Sequence, residues 1–437
     1  MLFYRPQHPL TGEMWDTWLF WHQGTHYLYY LARQGERWDN ISMATSADGV
    51  HWDEVGPILR RGEGVTWMGT GSTWAAPAHA GRRRFQMNFS EWRGPRQTIF
   101  FAESDDLRRW ERLSDAYEFV QDERWYQPRG RWDCIWTLPR SDGGLYGYWT
   151  ATPQPETGGR FGFGASEDGV HWTALPPPQV HGVGDGEVGA VERIGNTYYM
   201  MFGSYPNMVT LTAERPEGPF HAVARNRDLL GGHTYFTRFH PNPDGLLVNH
   251  HAMARDGRIC MGLLKRAVVD AEGVLRLGWW PGYQAALAPA GPLAAPAPGP
   301  GAAVSMLPQP IDAAAGGMLT ACLQLPATPF APRRGLYVEC GDSGGVAVLF
   351  DAQGRAEFCR TDPEGGSCVV EKRIDREQDW PQPVQLRLVL QQSLLELYLD
   401  DILIECFSLP AAATGRIGLI SGGDAAAVTA LDFSGLV

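Results

Sequence analysis

The chain has 437 residues, with 37 lysines and arginines against 49 aspartates and glutamates, and so a formal charge of −12. Hydrophobic cores stop growing near about 250–300 residues, so this length predicts a large domain and a smaller one. The negative charge, with no basic run longer than the three arginines at 82–84, argues against a nucleic-acid partner.

The N-terminal stretch MLFYRPQHPLTGEMW has no basic segment followed by an apolar one, and no later segment approaches the roughly 18 unbroken apolar residues of a membrane span. We therefore expect a cytoplasmic protein that binds no membrane.

The seven cysteines include no Cys-x-x-Cys pair, which argues against a disulfide framework and a structural zinc site. Cys359 and Cys368 lie in a hairpin-like region where they are able to pair.

A short phrase recurs three times in the first half of the chain. It reads SADGVHW at 46–52, SDDLRRW at 104–110 and SEDGVHW at 166–172, so the repeating unit is about sixty residues long. Each copy places a turn after one strand and a tryptophan after the turn, as one blade of a β-propeller requires. The aspartates of this phrase are therefore predicted to be structural.

Strand-like runs rich in aromatic and β-branched residues lie between these turns. They occupy 27–31, 85–89, 145–149, 198–202 and 259–263. Five such units fit before residue 285, and no long amphipathic helix is visible. Residues 1–285 are therefore predicted to form a five-bladed β-propeller.

The composition changes after residue 285. Residues 286–303, ALAPAGPLAAPAPGPGAA, read as a linker of limited flexibility. Beyond it, apolar residues alternate over 384–390, and the run 395–399 is followed by a turn at Asp400-Asp401. This period of two predicts strands and hairpins, so residues 304–437 are expected to form a β-sandwich and the fold class is all-β.

Three acidic residues, Asp16, Asp133 and Glu187, each open a strand-like segment. Taken singly, such a residue is more often only part of a turn. In a propeller, however, the innermost strands converge on one axial funnel, so equivalent positions in different blades become neighbours. Cleavage of a glycosidic bond needs an acid to protonate the leaving oxygen and a carboxylate as nucleophile or base, and a third carboxylate can stabilise the developing charge. The pattern favours carbohydrate chemistry.

These segments resemble the motifs of glycoside hydrolase family 32, the invertase, levanase and inulinase group, and the resemblance covers nearly the whole chain. The matching segments are Met14-Trp15-Asp16 for the nucleophile motif, 67–72 for a serine motif in the second blade, Arg131-Trp132-Asp133 for the stabiliser motif and Glu187-Val188-Gly189 for the acid/base motif. The resemblance implies a propeller followed by a sandwich, and a retaining β-fructofuranosidase or fructosyltransferase without a cofactor. Asp16 would be its nucleophile, Asp133 its stabiliser and Glu187 its acid/base.

The departures from that family fall on the neighbours of the acids. The family's Asn-Asp-Pro-Asn-Gly is reduced to Trp15-Asp16-Thr17-Trp18, a tryptophan separates Arg131 from Asp133, and no proline follows Glu187. Those neighbours contact fructose in the family, so two further hypotheses stay open. One is an inverting arabinofuranosidase or xylosidase like those of family 43, and the other is a carbohydrate-binding propeller without turnover.

Family 43 members often place a histidine near a central metal in the last blade, and Asn249-His250-His251-Ala252 lies in that region. A histidine pair in a strand is more often packed or hydrogen-bonded than metal-bound, so no metal is predicted.

Glu192 is the alternative to Glu187 for the role of catalytic acid. Because five residues is an odd separation in a strand, Glu192 is predicted to face the opposite side and to be solvated.

Aromatic residues supply the other half of a carbohydrate site, because apolar sugar faces stack on indole rings. Arg131 is suited to holding a carboxylate ionised or binding a hydroxyl, and Ser72 to donating a hydrogen bond to a primary hydroxyl. The predicted contacts to a small-molecule or oligosaccharide substrate are therefore Trp15, Trp18, Trp67, Ser72, Trp92, Arg131 and Trp132.

Overall fold

The computed structural model describes residues 2–7, 11–225, 227–294, 296, 304–342, 344–362, 368–374, 380–424 and 427–437. The chain divides into two compact units. The larger consists of Tyr4–His251 and Ile259–Leu275, and the smaller of Met1–Phe3, Ala252–Arg258 and Arg276–Val437. Both are built from strands, with short 3₁₀ helices at Ala78–Ala80, Asp115–Tyr117, Pro155–Thr157 and Pro281–Ala286. None of the described helices has the length and apolar character needed to cross a membrane.

The larger unit contains five blades. The first consists of β1 (Glu13–His22), β2 (Thr25–Arg33), β3 (Asn40–Ser46) and β4 (Asp53–Arg60). The second consists of β5 (Trp67–Ala75), β6 (Phe85–Arg93), β7 (Arg96–Ser104) and β8 (Glu111–Arg112). The third consists of β9 (Trp132–Pro139), β10 (Leu145–Ala151), β11 (Gly162–Ser166) and β12 (Trp172–Leu175).

The fourth blade consists of β13 (Val180–His181), β14 (Glu187–Ile194), β15 (Thr197–Ser204), β16 (Asn207–Ala213), β17 (Phe220–Ala222) and β18 (Asp228–Leu230). The fifth consists of β19 (Thr234–Asn242), β20 (Gly245–Met253), β21 (Ile259–Met261) and β22 (Lys265–Val269). The strands β1, β5, β9, β14 and β19 pack side by side in that order, and β19 packs against β1. This closed ring confirms the predicted five-bladed propeller.

The repeated turn phrase has the predicted structural role. In its first copy, the Asp48 carboxylate accepts hydrogen bonds from the backbone N–H groups of Val50 and His51 at 2.9 and 2.8 Å. The Ser46 hydroxyl accepts one from Gly49 at 2.8 Å. The second and third copies repeat these bonds. Side-chain oxygens thus replace strand partners where each blade turns towards its outer strand.

Four of the predicted strand runs lie in β2, β6, β10 and β15, each the long middle strand of its blade. The fifth run differs, because 259–261 forms the short β21 and the long second strand of that blade is β20. The His250-His251 pair lies in β20 and is fully buried. The run 259–263 was predicted in place of β20, because β20 carries polar residues where the corresponding strands of the other blades carry aromatic ones.

Four of the ring strands, β1, β5, β9 and β14, carry an irregularity in their pairing. In β1 the register shifts around Asp16, whose φ is 42°, and in β14 it shifts around Gly189. In β9 the shift spans Cys134, whose φ is 51°. Such bulges bend a strand and redirect the side chains beside them. All three acidic residues therefore lie in or next to a bulge.

The smaller unit is a sandwich of two sheets. Its strands are β23 (Leu275–Trp279), β24 (Gly291–Pro292), β25 (Ser305–Met306), β26 (Gly317–Leu323), β27 (Arg334–Cys340), β28 (Gly345–Phe350), β29 (Ala356–Thr361), β30 (Cys368–Ile374), β31 (Val384–Gln391), β32 (Leu394–Leu399), β33 (Ile402–Ser408), β34 (Ala413–Ile420) and β35 (Val428–Gly435). One sheet has the order β23-β33-β32-β31-β26-β35-β24 and the other β25-β34-β27-β28-β29-β30.

The sandwich core follows from the period-two pattern. Leucines of β31 face leucines of β32 in the pairs Leu386–Leu399, Leu388–Leu397 and Leu390–Leu395, and all six are buried. Each buried leucine side chain stabilises the fold by about 1.5–3 kcal/mol through the hydrophobic effect. The predicted hairpins of this region are thus confirmed. Cys359 and Cys368 lie on the paired strands β29 and β30 as free thiols.

The compact units place the division of the chain earlier than residue 285, since Arg276 and the residues after it belong to the smaller unit. Part of the predicted linker 286–303 is structured, because Gly291 and Pro292 pair with β35. Residue 295 and residues 297–303 lie outside the described residues.

Candidate active site

Asp16 occupies the bulge of β1 in the left-handed region of backbone conformation. Its carbonyl oxygen accepts a hydrogen bond of 3.5 Å from the hydroxyl of Thr70 in β5. The half-buried carboxyl makes no hydrogen bond or ion pair to any residue that the structure describes. A non-glycine residue rarely adopts this backbone conformation, and functional sites are where it is commonly found.

Asp133 opens β9 and its carboxyl is held from two sides. The Ser90 hydroxyl donates to Oδ1 at 2.5 Å, and the Arg131 guanidinium contacts Oδ2 at 3.2 Å. Gly69 of β5 makes room for this carboxyl, because a Cβ at that position would lie 2.7 Å from Oδ1 and 2.2 Å from the Ser90 hydroxyl. The side chain is only 11% exposed, so its orientation is fixed by these partners.

Arg131 joins the second acid to the third. Its Nη2 donates to Glu187 Oε1 at 2.8 Å while it also contacts Asp133. The backbone N–H of Val188, next to Glu187, donates to the Thr150 hydroxyl at 3.0 Å. One guanidinium therefore holds two carboxylates from different blades in one place.

The charges of the site reach Asp16 as well. Burial raises the pKa of Asp16 well above its ordinary value, and the Glu187 and Asp133 carboxylates raise it further. Arg238 and Arg131 act in the opposite direction. Thr70, which donates to the Asp16 carbonyl, adjoins Gly69, which lies against the Asp133 carboxyl. Since Arg131 joins Asp133 to Glu187, the structure brings the three acids into one region.

Tyr235, at the start of β19, is a member of the site that the sequence reasoning missed. Its ring packs against His251 and Tyr205, and burial, together with the Glu187 carboxylate, raises the pKa of the phenol. Gly203 leaves the space for it, since a Cβ there would lie 2.4 Å from the hydroxyl. Its position in the sequence is what could have identified it, because Tyr235 lies at the start of the innermost strand of its blade, as the acids do. It was missed because it carries no carboxyl.

Trp15 lies beside Asp16 and packs on the His251 ring, with 4.3 Å between ring centroids. Burial lowers the pKa of His251 to about 3, so this imidazole is neutral near pH 7. Neither ring nitrogen of His251 has a hydrogen-bond partner among the described residues. The described residues contain no group of three or more His, Cys, Asp or Glu side chains arranged to hold a metal ion.

A row of tryptophans leads from Trp15 to the surface. Trp15 contacts Trp38 with 6.2 Å between ring centroids, and Trp38 contacts Trp67 at 6.5 Å. Trp67 is 40% exposed and, with Trp92, lines a cavity of about 430 Å³. The other lining residues are Glu36, Arg37 and Thr66. The cavity offers indole surface with polar groups beside it, the combination that sugars bind.

Three predicted substrate contacts are wrong. Trp18 and Trp132 are fully buried, the first stacked on Tyr29 and the second packed on Trp149. Ser72 is buried too, and its hydroxyl donates to the backbone carbonyl of Ile135. These side chains hold blades together and do not reach a surface that a sugar can touch.

The prediction for Glu192 is also wrong. Glu187 pairs with Gly203 and Glu192 pairs with Tyr199, two partners that are four residues apart, so both glutamates face the same side of the sheet. The bulge at Gly189 absorbs the fifth residue and thereby restores the even separation. Glu192 is half-buried, and burial raises its pKa to about 7.

The fold belongs to a known architecture. No family model matches the sequence, and no curated protein matches it. Solved structures, by contrast, match over the full length, and they define a GH32-like fold of propeller and sandwich. A GH32 β-fructofuranosidase of Bombyx mori has a TM-score of 0.71 at 14% identity, over 98% of this chain and 92% of that one.

Two further structures show the same likeness. Sucrose-6-phosphate hydrolase from Lactobacillus gasseri has a TM-score of 0.71 at 15% identity, over 100% of this chain and 93% of that chain. Fructan 1-exohydrolase IIa from Cichorium intybus, in complex with 1-kestose, has a TM-score of 0.72 at 13% identity, over 100% and 97%. At these identities the likeness establishes the fold.

Proposed function

We propose that the protein is a retaining glycoside hydrolase that acts on β-fructofuranosides. The observation that carries the proposal is the meeting of Asp16, Asp133 and Glu187 from three blades, the last two joined through Arg131. Glycoside cleavage with retention uses two carboxyls in distinct roles. The likeness to fructosidase structures supports fructose as the sugar.

In the first step, an Asp16 carboxylate oxygen attacks the anomeric carbon. The bond from that carbon to the leaving oxygen breaks, and Glu187 transfers its proton to this oxygen. In the second step Glu187 takes a proton from water, which attacks the anomeric carbon and releases Asp16. An acceptor hydroxyl in place of water would give transfer instead of hydrolysis.

The other side chains of the site support these two. Asp133, fixed by Ser90 and Arg131, presents a carboxylate to the positive charge that develops on the sugar ring. The Tyr235 hydroxyl lies against Gly203, the strand partner of Glu187, and so borders the acid/base. The indole faces at Trp15, Trp67 and Trp92 offer stacking surface for the rest of an oligosaccharide.

The test is the stereochemistry of the product. Fructo-oligosaccharides, sucrose and nitrophenyl glycosides are supplied to the enzyme, and NMR follows the anomer formed first on the best substrate. We expect cleavage of β-fructosides with net retention. Net inversion, or cleavage of arabinofuranosides alone, would support the inverting alternative and contradict the proposal.

The Asp16→Asn and Glu187→Gln variants serve as controls, since each keeps the size of the side chain. Each is expected to lower kcat/KM for natural fructosides by about 10²–10⁴-fold, the usual contribution of a positioned acid or base and a lower limit for a nucleophile. A wild-type protein that binds sugars but is as inert as both variants would point to a binding propeller.

A further inference from the structure

A second arginine lies buried at the acid cluster. Arg238 in β19 is fully buried, and its guanidinium carbon lies 3.9 Å from the centroid of the Phe236 ring. Its Nη1 donates to the backbone carbonyl of Val188 at 3.0 Å. The side chain therefore reaches from β19 to β14 and holds the backbone immediately after Glu187.

Its remaining donors are unusual. Nε and Nη2 of Arg238 have no hydrogen-bond partner among the residues that the structure describes. A buried guanidinium with a purely structural role normally uses its donors on carbonyl or carboxylate oxygens, because an unpaired buried charge is costly. Here the guanidinium lies over the rings of Phe236 and Trp136, and its free donors leave the charge to act on the nearest carboxylates.

The contacts within the cluster show which carboxylate the positive charge of Arg238 affects. Arg131 contacts both Asp133 and Glu187, whereas the Asp16 carboxyl has no hydrogen bond or ion pair to a described residue. β19 packs against both β1 and β14, so Arg238 lies between the strands that carry Asp16 and Glu187. Both Arg238 and Arg131 act to lower the pKa of Asp16.

We propose that Arg238 is a positioning residue of the acid cluster, which fixes the backbone beside Glu187 and supplies a buried positive charge that favours the ionised, nucleophilic form of Asp16. This inference deepens the proposed function and rests on it for the role of Asp16. The other charged or titratable groups around Asp16 are Glu187 on β14, Asp133 and Cys134 on β9, Arg131 just before β9, Tyr235 on β19 and His251 on β20.

The experiment measures Asp16 directly. Protein labelled with ¹³C at the aspartate carboxyls is titrated by NMR, and Asp16→Asn identifies the Asp16 signal. In Arg238→Met the titration midpoint of Asp16 is expected to rise by about one pH unit or more, because an opposite charge near a carboxyl favours its ionised form. In Arg238→Lys, which keeps a positive charge, the midpoint is expected to stay near that of the wild type.

Arg112→Met is the matched control. Arg112 belongs to the same unit and pairs with the buried Glu91 through two bonds of 2.7 and 2.8 Å. Its loss removes a structural ion pair in which Asp16 takes no part, and it is expected to leave the Asp16 midpoint unchanged. An unchanged midpoint in folded Arg238→Met, or an equal shift in Arg112→Met, would overturn the inference.

A second pair of variants covers the case in which Arg238→Met does not fold. Arg238→Gln removes the charge and keeps a polar side chain, so its midpoint is expected to lie above that of Arg238→Lys, and equal midpoints would overturn the inference. The NMR titration does not need turnover. A shifted midpoint in a protein without fructosidase activity would therefore refute the proposed function and leave the role of Arg238 intact.

Discussion

Asp16 is the residue in which stability and activity conflict. It lies half-buried in a strained backbone conformation, next to two other carboxyls. As a nucleophile it must be ionised, yet burial and the neighbouring acids raise its pKa well above the ordinary value. The folded state therefore binds the Asp16 proton more tightly than the unfolded chain does. Its contribution to stability is largest at low pH and is lost as the pH rises through the folded-state pKa.

The loss of stability with rising pH gives a prediction for Asp16→Asn. The variant is expected to be inactive, but at pH 7 its Tm is expected to exceed that of the wild type by a few degrees, because asparagine carries no charge to bury. Below the ordinary pKa of aspartate the gain is expected to vanish. Calorimetry of both proteins at pH 3 and pH 7 checks this. A lower Tm for the variant at pH 7 would show that the ionised carboxylate stabilises the fold.

At the residue scale, the sequence predicted the acids better than their surroundings. Asp16, Asp133 and Glu187 were found because each opens a strand in a repeating unit. The errors at Trp18 and Trp132 have a physical cause, since an indole beside a motif packs into a blade or faces the funnel depending on the local bulge. Arg238 gave no such signal, because its role depends on a contact with the neighbouring blade. Tyr235 opens its strand as the acids do but carries no carboxyl.

At the scale of the strand, the bulges decide which side chains meet. Gly189 shifts the register of β14 and so determines the side on which Glu192 lies relative to Glu187. A Cβ at Gly189 would lie 2.6 Å from the Met201 carbonyl oxygen and 2.8 Å from that of Thr237. Both contacts are with backbone atoms, which cannot turn aside as a flexible side chain can.

Gly189→Ala is therefore expected to lower both Tm and activity. Displacement of the backbone beside Glu187 is expected to reduce kcat/KM by about tenfold or more, since a small misplacement of catalytic groups is costly. Gly184→Ala is the control, because a Cβ at Gly184 has open space and lies in the same unit just before β14. Thermal melting and steady-state kinetics on the two variants provide the comparison. Equal behaviour would contradict the role given to the bulge.

The blade pattern was predictable at this scale and the bulges were not. Turn phrases and period-two alternation are local in sequence, so the strands β2, β6, β10 and β31 follow from them. A bulge depends on which residue of the neighbouring strand pairs with which, and nothing within β14 itself reports this. The prediction that Glu192 faces away from Glu187, which rested on their odd separation of five residues, is wrong for that reason.

At the scale of the whole molecule, the two architectures were predicted from different signals. The propeller followed from a repeat of about sixty residues, and the sandwich from alternating leucines that now pair across β31 and β32. The division between the units was harder to predict, because residues 276–285 carry no compositional change and still belong to the smaller unit. The propeller then supplies what no single blade has, a place where carboxyls from three blades meet.

The most direct test of that shared site is to trap its intermediate. Glu187→Gln is mixed with a β-fructoside whose leaving group needs no protonation, so that attack by Asp16 proceeds and the base for water is missing. Peptide mass spectrometry is predicted to find one dehydrated hexose on the peptide that contains Asp16, and none in the double variant with Asp16→Asn. Turnover without any adduct, or an adduct on another residue, would contradict the account.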